Sequence, residues 1–331
     1  MSIRIGVAGA GGLGYHHVRL LRDMPDITFA GFYDANAERA AKVAESLGVV
    51  AHPSLASLIA ASDAVSCVVP TTAHHAVGMA ILSAGKHLFV EKPIAVTLDE
   101  ADALVNAAAA SGVVLQVGHV ERFNRAVRAA WPHLADPLFV QSDRLAPYTP
   151  RGADVAVVLD LMIHDIDLVA TIVGSPVVDV SAVGVPVLTD TPDIANARLE
   201  FASGAVATIT ASRVSREKTR KLRIFQRSGY VSLDLGTGAG MFFRMRSDVD
   251  PRDFAAQATS LEQFVEPVPL FAADGEPLRL ELDSFVQAIR GEQPVVVTGA
   301  AGREALSTAL RIVTDIERHS LRLRGGALRP A

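Results

Sequence analysis

The first third of the chain alternates short apolar runs with stretches of helical spacing. Residues 3–8 are an apolar run of strand length, and residues 15–22 carry Val18, Leu20 and Leu21 at helical spacing before Pro25 closes the segment. Strand-like runs follow at 27–33, 64–69, 87–90 and 113–117. Between them, helical spacing covers 37–47, 55–61, 73–84 and 98–111, with stops at Gly48, Gly85 and Gly112. Thr97 with Glu100 three residues on is a capping box for the 98–111 helix. Strand and helix alternate to about residue 118, which predicts an α/β domain with a doubly wound parallel sheet over 1–120.

The pattern then changes. Helices are expected at 126–134 and 154–173, the second stopped by Gly174 and Pro176, and a strand at 138–145. Strand-like runs then follow one another at 177–187, 194–201, 205–213, 221–226 and 230–235, with Ser203-Gly204 as a hairpin signal. Strand after strand predicts an α+β domain over 121–331 with a mostly antiparallel, open sheet. Residues 236–282 are rich in Asp, Pro and Gly and give no assignment. Helices are expected at 282–290 and 303–321, with a loose tail after Gly325. An open apolar sheet face is normally buried by another subunit, so a homodimer or homotetramer is expected.

The turn after the first strand carries the clearest chemistry. Gly9-Ala10-Gly11-Gly12-Leu13-Gly14 is G-x-G-x-x-G, opening a helix whose N-terminus suits a pyrophosphate. The second strand ends on Asp34, about twenty residues beyond Gly14, where a carboxylate accepts the adenosine ribose hydroxyls. Gly9, Gly11, Gly12, Leu13, Gly14 and Asp34 are therefore candidate cofactor contacts. Asp34 would repel a 2′-phosphate, which favours NAD over NADP, although Arg39 is close enough in sequence to weaken that preference.

Composition narrows the setting. At 331 residues two domains are the default, and half the residues are hydrophobic against a fifth charged, as in a soluble globular protein. The net charge of −5, with no basic run, argues against nucleic acid or an anionic membrane as partner. No apolar stretch is long enough to span a bilayer and nothing resembles an export signal. Cys67 is the only cysteine and lies in an apolar run, as expected for a core residue in a reducing cytoplasm.

Three further sets could do chemistry. Glu91-Lys92-Pro93 follows a strand end on the cofactor side, so Lys92 is a candidate base or donor whose ammonium a positive nicotinamide would disfavour. Thr71 and His74, after Pro70, stand at another such strand end, with His74 expected toward the nicotinamide. On the 154–173 helix, Asp160, His164 and Asp167 are spaced i, i+4, i+7 and share a face, from which Asp165 points away. Histidine suits proton transfer near neutral pH, and a carboxylate one turn away can orient it. At the junction of the two halves, His119, Arg122 and Asn124 could hold a hydroxyl-rich or anionic ligand, with Arg125, Arg128, Arg144 and Arg151 adding positive charge. His16, His17, His52, His87, His133 and His319 have no motif and are read as structural. No metal-binding spacing occurs.

Together these pieces resemble the Gfo/Idh/MocA family of NAD(P)-dependent sugar oxidoreductases. The likeness rests on Gly9-Gly11-Gly14, Pro70 with His74, residues 84–87 leading to Glu91-Lys92-Pro93, Arg122-Phe123, and Asp160 with His164. It implies a Rossmann domain followed by an open-sheet domain used for oligomerisation, with Lys92, His164 and Asp160 as the catalytic set. Residues 117–124 and 160–167 are similar to the branch that oxidises the 3-hydroxyl of UDP-N-acetylglucosamine to a 3-oxo nucleotide sugar for later transamination, as in lipid A biosynthesis. Arg125 stands where that branch often has proline, and its glycine pair before the helix aspartate is absent. The resemblance implies oxidation of a secondary sugar alcohol, with His119, Arg122, Asn124 and Asp167 toward the substrate. Either Lys92 or His164 would take the proton. Two alternatives stand beside it: a dehydrogenase of a free sugar, an inositol or a uronic-acid nucleotide sugar, and a non-catalytic sensor, which would be free to lose the Lys92 and His164 that this chain keeps.

Overall fold

The computed structural model describes residues 2–149, 155–246 and 263–326. Arg151, Asp154, the middle of the 236–282 stretch and the tail beyond residue 326 lie outside the described residues. The chain divides into two compact units, Met1–Val120 with Glu276–Ser307, and Glu121–Gly275 with Thr308–Ala331.

In the first unit, β1 (Ile3–Ala8), β2 (Ile27–Tyr33), β3 (Ala64–Cys67), β4 (His87–Glu91) and β5 (Leu115–Gly118) form one parallel sheet in the order β2-β1-β3-β4-β5. Helices α1 (Gly12–Arg22), α2 (Ala37–Leu47), α3 (Leu55–Ala61), α4 (Thr71–Ser83) and α5 (Leu98–Ser111) connect the strands. The strands read as nearly continuous apolar runs because both faces are covered, and β3 is buried along its whole length. The strand order reverses between β1 and β3, the switch point where such sheets bind ligands beyond their carboxyl ends. Thr97 and Glu100 form the expected capping box of α5, and Gly112 ends that helix in a left-handed conformation.

The sequence reading assigned residues 121–331 to the second domain, yet Glu276–Ser307 belongs to the first unit. The reason is apolar: the Pro277–Ile289 helix buries Leu282, Phe285 and Val286 in the cluster of Ile5, Val18, Phe32 and Phe89, and the Phe285 ring meets Phe89 edge-on. Buried apolar area of this size outweighs chain proximity.

The second unit is built on an eight-stranded sheet in the order β13-β12-β11-β10-β6-β9-β8-β7. Its strands are β6 (Phe139–Leu145), β7 (Val177–Val185), β8 (Ile194–Phe201), β9 (Val206–Ser212), β10 (Thr219–Gln226), β11 (Gly229–Asp234), β12 (Ala239–Met245) and β13 (Val265–Leu270). All neighbours are antiparallel except β6 and β9. Helix α6 (Arg125–Ala130) precedes the sheet, and α7 (Ile163–Val173) follows β6. Strand alternation buries Val140, Ser142 and Arg144 on one face. The other face carries a row of half-buried rings, Phe139, Phe225, Tyr230 and Phe243, directly opposite one another on four strands. Their centroids are 5.7, 5.5 and 4.5 Å apart.

Candidate active site

The cofactor half is assembled by the ends of β1, β2, β3 and β4. A Cβ on Gly14 would lie 2.0 Å from Gly9 O, and Gly9 itself has φ +92 with Val68 O at 2.6 Å from its Cβ position, so neither accepts a side chain. Gly11 differs: a Cβ there would meet nothing nearer than Arg39 Nη1 at 3.9 Å. Its bareness leaves open space over the start of α1, a helix with no side-chain cap and no acid in its first turn. Gly12 is exposed and Leu13 half-buried beside it. Amide N–H groups and the helix dipole are thus presented to an anion, which fits the pyrophosphate of a dinucleotide.

Asp34 fits the adenosine ribose. Its Oδ2 accepts from Ala10 N at 2.8 Å and its Oδ1 from Asn36 N at 2.8 Å, which fixes the carboxylate beside the glycine turn. Arg39 Nε reaches the same carboxylate at 3.0 Å. The arginine foreseen as a neighbour is therefore an ion-pair partner of Asp34.

His74 lies on α4, just after the end of β3, where it was expected. Its ring is buried, with Nδ1 at 2.8 Å from Pro93 O and Nε2 at 3.0 Å from Val69 O. It ties the end of β3 to the Glu91-Lys92-Pro93 turn. Burial pushes the imidazole pKa down, against the pull of the two carbonyls and Glu91. Thr71, the first residue of α4, starts the same helix after Pro70.

Glu91 is buried, with Oε1 at 3.2 Å from His17 Nε2 and Oε2 accepting from Lys92 N at 3.2 Å. His17 Nδ1 in turn meets Ser66 Oγ at 2.9 Å. Gly118 makes room for this carboxylate, since a Cβ there would lie 2.7 Å from Glu91 Cδ. Lys92 follows, half-buried, before a cis peptide to Pro93. His119 is buried just beyond β5, its N–H donating to Val117 O at 2.9 Å.

The second unit brings Arg122 and Asp167 together. The guanidinium donates from Nε to Oδ2 at 2.8 Å and from Nη2 to Oδ1 at 2.6 Å, a two-bond fork with Asp167 almost wholly buried. Asn124 has a structural task instead of a free amide. It caps α6 through Oδ1 and donates to Glu121 Oε2 at 3.1 Å and Leu235 O at 2.9 Å. Asp160 lies in a π-helical turn, Val158–Met162, that leads into α7. That turn stands where a continuous α-helix was expected. His164 and Asp167 keep i, i+3 spacing within α7, and both Asp160 and His164 are half-buried.

Asp165, read as pointing away from the candidate face, and Arg144, read as adding positive charge near a ligand, hold this half in place. Asp165 is buried and takes Arg144 Nε and Nη2 as well as Ser142 Oγ at 2.8 Å. Arg144 Nη1 reaches Glu121 at 2.9 Å, and the two carboxylates hold the guanidinium pKa above its ordinary range despite burial. One signal was present: strand alternation puts Arg144 in phase with buried Val140. Cys67 is buried, and burial pushes its thiol up to about 12, which leaves it inert. Among the described residues no group of His, Cys, Asp and Glu is gathered that could hold a metal, and no helix is long and apolar enough to cross a membrane.

Residues 3–119 match the family model "Oxidoreductase family, NAD-binding Rossmann fold", and residues 116–232 match the GFO/IDH/MocA C-terminal domain. The chain is 37% identical over 318 residues to the UDP-N-acetylglucosamine 3-dehydrogenase of Acidithiobacillus ferrooxidans, spanning 96% of this chain and 98% of that one. The chain belongs to the Gfo/Idh/MocA oxidoreductase family. It is an NAD-dependent oxidoreductase of CH–OH groups, as its motifs led one to expect. A solved structure of the Acidithiobacillus enzyme superposes with a TM-score of 0.87, covering 96% of this chain and 99% of that chain. A more distant relative is the NAD+-dependent scyllo-inositol 2-dehydrogenase of Bacillus subtilis, 29% identical over 65% of this chain and 68% of its own length.

Proposed function

We propose that the protein oxidises the 3-hydroxyl of UDP-N-acetylglucosamine to the 3-oxo nucleotide sugar. The observation that carries this is the extent of the likeness to the Acidithiobacillus enzyme, which runs through both units rather than the cofactor domain alone. The inositol relative covers only 65% of the chain. Bound NAD+ supplies the hydride acceptor. Lys92 and His164 handle the hydroxyl proton, one as base and the other as donor to the forming carbonyl oxygen. Asp160 orients His164. Arg122, held flat by Asp167, and His119 serve the substrate. A 3-oxo sugar is an electrophilic ketone, so the next reaction is transamination, in keeping with amino-sugar and lipid A chemistry.

The protein works as a homodimer or homotetramer in the cytoplasm. The row of Phe139, Phe225, Tyr230 and Phe243 supports the first statement, because half-buried rings on an open sheet face gain most by meeting the same face of a second copy. A single buried cysteine supports the second.

The test is a substrate panel with NAD+: UDP-N-acetylglucosamine, free N-acetylglucosamine and myo-inositol, each with and without a sugar aminotransferase and glutamate to draw off the ketone. NADH formation is expected with the nucleotide sugar alone. Turnover of inositol or free sugar in its place would reject the substrate and keep the oxidoreductase. Silence on all three with tight NAD binding would favour a sensor.

A further inference from the structure

Three buried charges of the second unit, Glu121, Arg144 and Asp165, form a set that the proposed chemistry does not use. Arg144 stands on β6 between β10 and β9, in the middle of the eight-stranded sheet, so its backbone is held on both sides. From there its Nε and Nη2 donate to Asp165 on α7, and its Nη1 reaches Glu121 Oε1 at 2.9 Å. Ser142, two residues back on the same buried face, donates its hydroxyl to Asp165 Oδ1 at 2.8 Å. Glu121 is steadied from its other side by Asn124 Nδ2, at 3.1 Å from Oε2.

Each of these carboxylates is the chain neighbour of a residue given a part in the reaction. Glu121 precedes Arg122 in the 3-10 turn Val120–Phe123, and Asp165 follows His164 in the first turn of α7. The fork from Arg122 to Asp167 is a second tie between the same two elements. At about 100° per residue, Asp165 and Asp167 leave α7 on either side of His164, about 100° one way and about 60° the other. Two anchors that bracket a residue fix the rotation of its helix, where one would leave a hinge. Stability alone does not call for this arrangement, because apolar side chains in place of a buried ion pair are often no less stable. What they would not supply is direction: a planar guanidinium bonds its carboxylates at set angles.

We propose that Arg144 is a positioning residue for the reaction, holding His164 and Arg122 in one frame through Asp165 and Glu121. The inference rests on the roles given above to His164 and Arg122. Arg144 acts through its two carboxylates and takes no part in the proton or hydride transfer.

The experiment is steady-state kinetics of the full-length protein with NAD+ and UDP-N-acetylglucosamine, an aminotransferase and glutamate drawing off the ketone. Wild type is compared with Arg144→Met plus Asp165→Leu, with Ser142→Ala and with His164→Ala. The double variant removes the anchor and its counter-charge together and leaves the Arg122–Asp167 fork intact. Its kcat is expected to fall at least ~10-fold, with KM for the sugar and the NAD+ dissociation constant little changed. A residue that only kept the protein folded would give no such split in the folded variant. Ser142→Ala loses one hydroxyl bond to Asp165 and keeps every charge, so its kcat should fall roughly 2–5-fold. This milder lesion carries the test if the double variant does not fold. Hydrogen exchange over residues 163–168 should speed at least ~10-fold in the double variant. It should not change in Arg244→Gln, which breaks an exposed ion pair with Glu266 in the same sheet. A folded double variant with kcat within about 2-fold of wild type, or with unchanged exchange over 163–168, would overturn the proposal. If His164→Ala turns over as wild type does, the catalytic reading of His164 fails and takes the proposal with it. If His164→Ala is inactive and the double variant is not, that reading stands and Arg144 has no part in it. Should wild type oxidise a different alcohol, the comparison is made with that alcohol, and only the substrate reading is lost.

Discussion

Asp165→Asn removes one charge from a guanidinium that has almost no water to fall back on. Arg144 is 4% exposed and Asp165 2%. Asparagine can still accept from Ser142 Oγ, but its amide turns donors toward Arg144 Nε and Nη2, leaving Glu121 as the one remaining counter-ion. Removing one partner of a buried pair costs about 3–5 kcal/mol, against a typical total of roughly 5–15 kcal/mol. With an m-value of about 1–3 kcal/mol/M, the urea midpoint should fall by more than about 1 M. Trp131 is the sole tryptophan and lies in the second unit, so its fluorescence follows the affected part. The apolar double replacement Arg144→Met with Asp165→Leu removes the charge and its counter-charge together, and it should cost less than Asp165→Asn alone. NAD affinity should not change, because the cofactor residues lie in the other unit. A midpoint within about 0.3 M of wild type for Asp165→Asn would refute the reasoning, as would a double variant less stable than the single one.

Three more predictions follow from the first unit. Asp34→Ala leaves Arg39 without its carboxylate and lifts the repulsion of a 2′-phosphate, about 3 kcal/mol for unit charges ~5 Å apart at an effective dielectric of ~20. NADP+ affinity should rise at least ~10-fold while NAD+ affinity falls, and fluorescence titration showing no gain for NADP+ would count against the ribose role. His74→Leu should lower kcat by roughly 10-fold or more through movement of the Lys92 turn and cost about 1–3 kcal/mol of stability from the carbonyl that loses its imidazole N–H, with KM little changed. Loss of stability with kcat intact would reduce His74 to a purely structural residue. His87 accepts from Val114 N at 2.9 Å through Nδ1, and burial pushes its pKa down, as it does for His74. Their stabilisation is complete above the unfolded value of about 6.5 and is lost as pH falls below it. The melting temperature should drop between pH 7.5 and 5.5, and less steeply in His87→Leu; parallel profiles would exclude His87 as a source.

What could be read from the sequence was what local chemistry decides. The glycines at 9, 11 and 14, the acid at 34 and the capping box at Thr97 are set by backbone geometry within a few residues, and the structure has each in its expected setting. The strand β13 escaped because Pro267 and Pro269 interrupt its run. β13 is the edge of the sheet, where a missing N–H is tolerated. The π turn at Val158–Met162 escaped because an apolar run does not distinguish it from the α-helix into which it leads. The bonds of Asp165 to Ser142 and Arg144 and of His74 to Pro93 join residues 19 to 23 apart in sequence, and composition says nothing about such pairings. Asn124 misled for the opposite reason: at a helix start its side chain was needed by the backbone.

The measurement that bears most directly on the account uses UDP-N-acetylglucosamine carrying deuterium at C3, incubated with NAD+ and an aminotransferase with glutamate to remove the ketone. Mass spectrometry then reads the reduced cofactor, in wild type and in Lys92→Ala. Deuterium is expected in the NADH formed by wild type, and no NADH from Lys92→Ala although that variant still binds NAD+. Unlabelled NADH, or a Lys92→Ala variant that turns over near the wild-type rate, would contradict it.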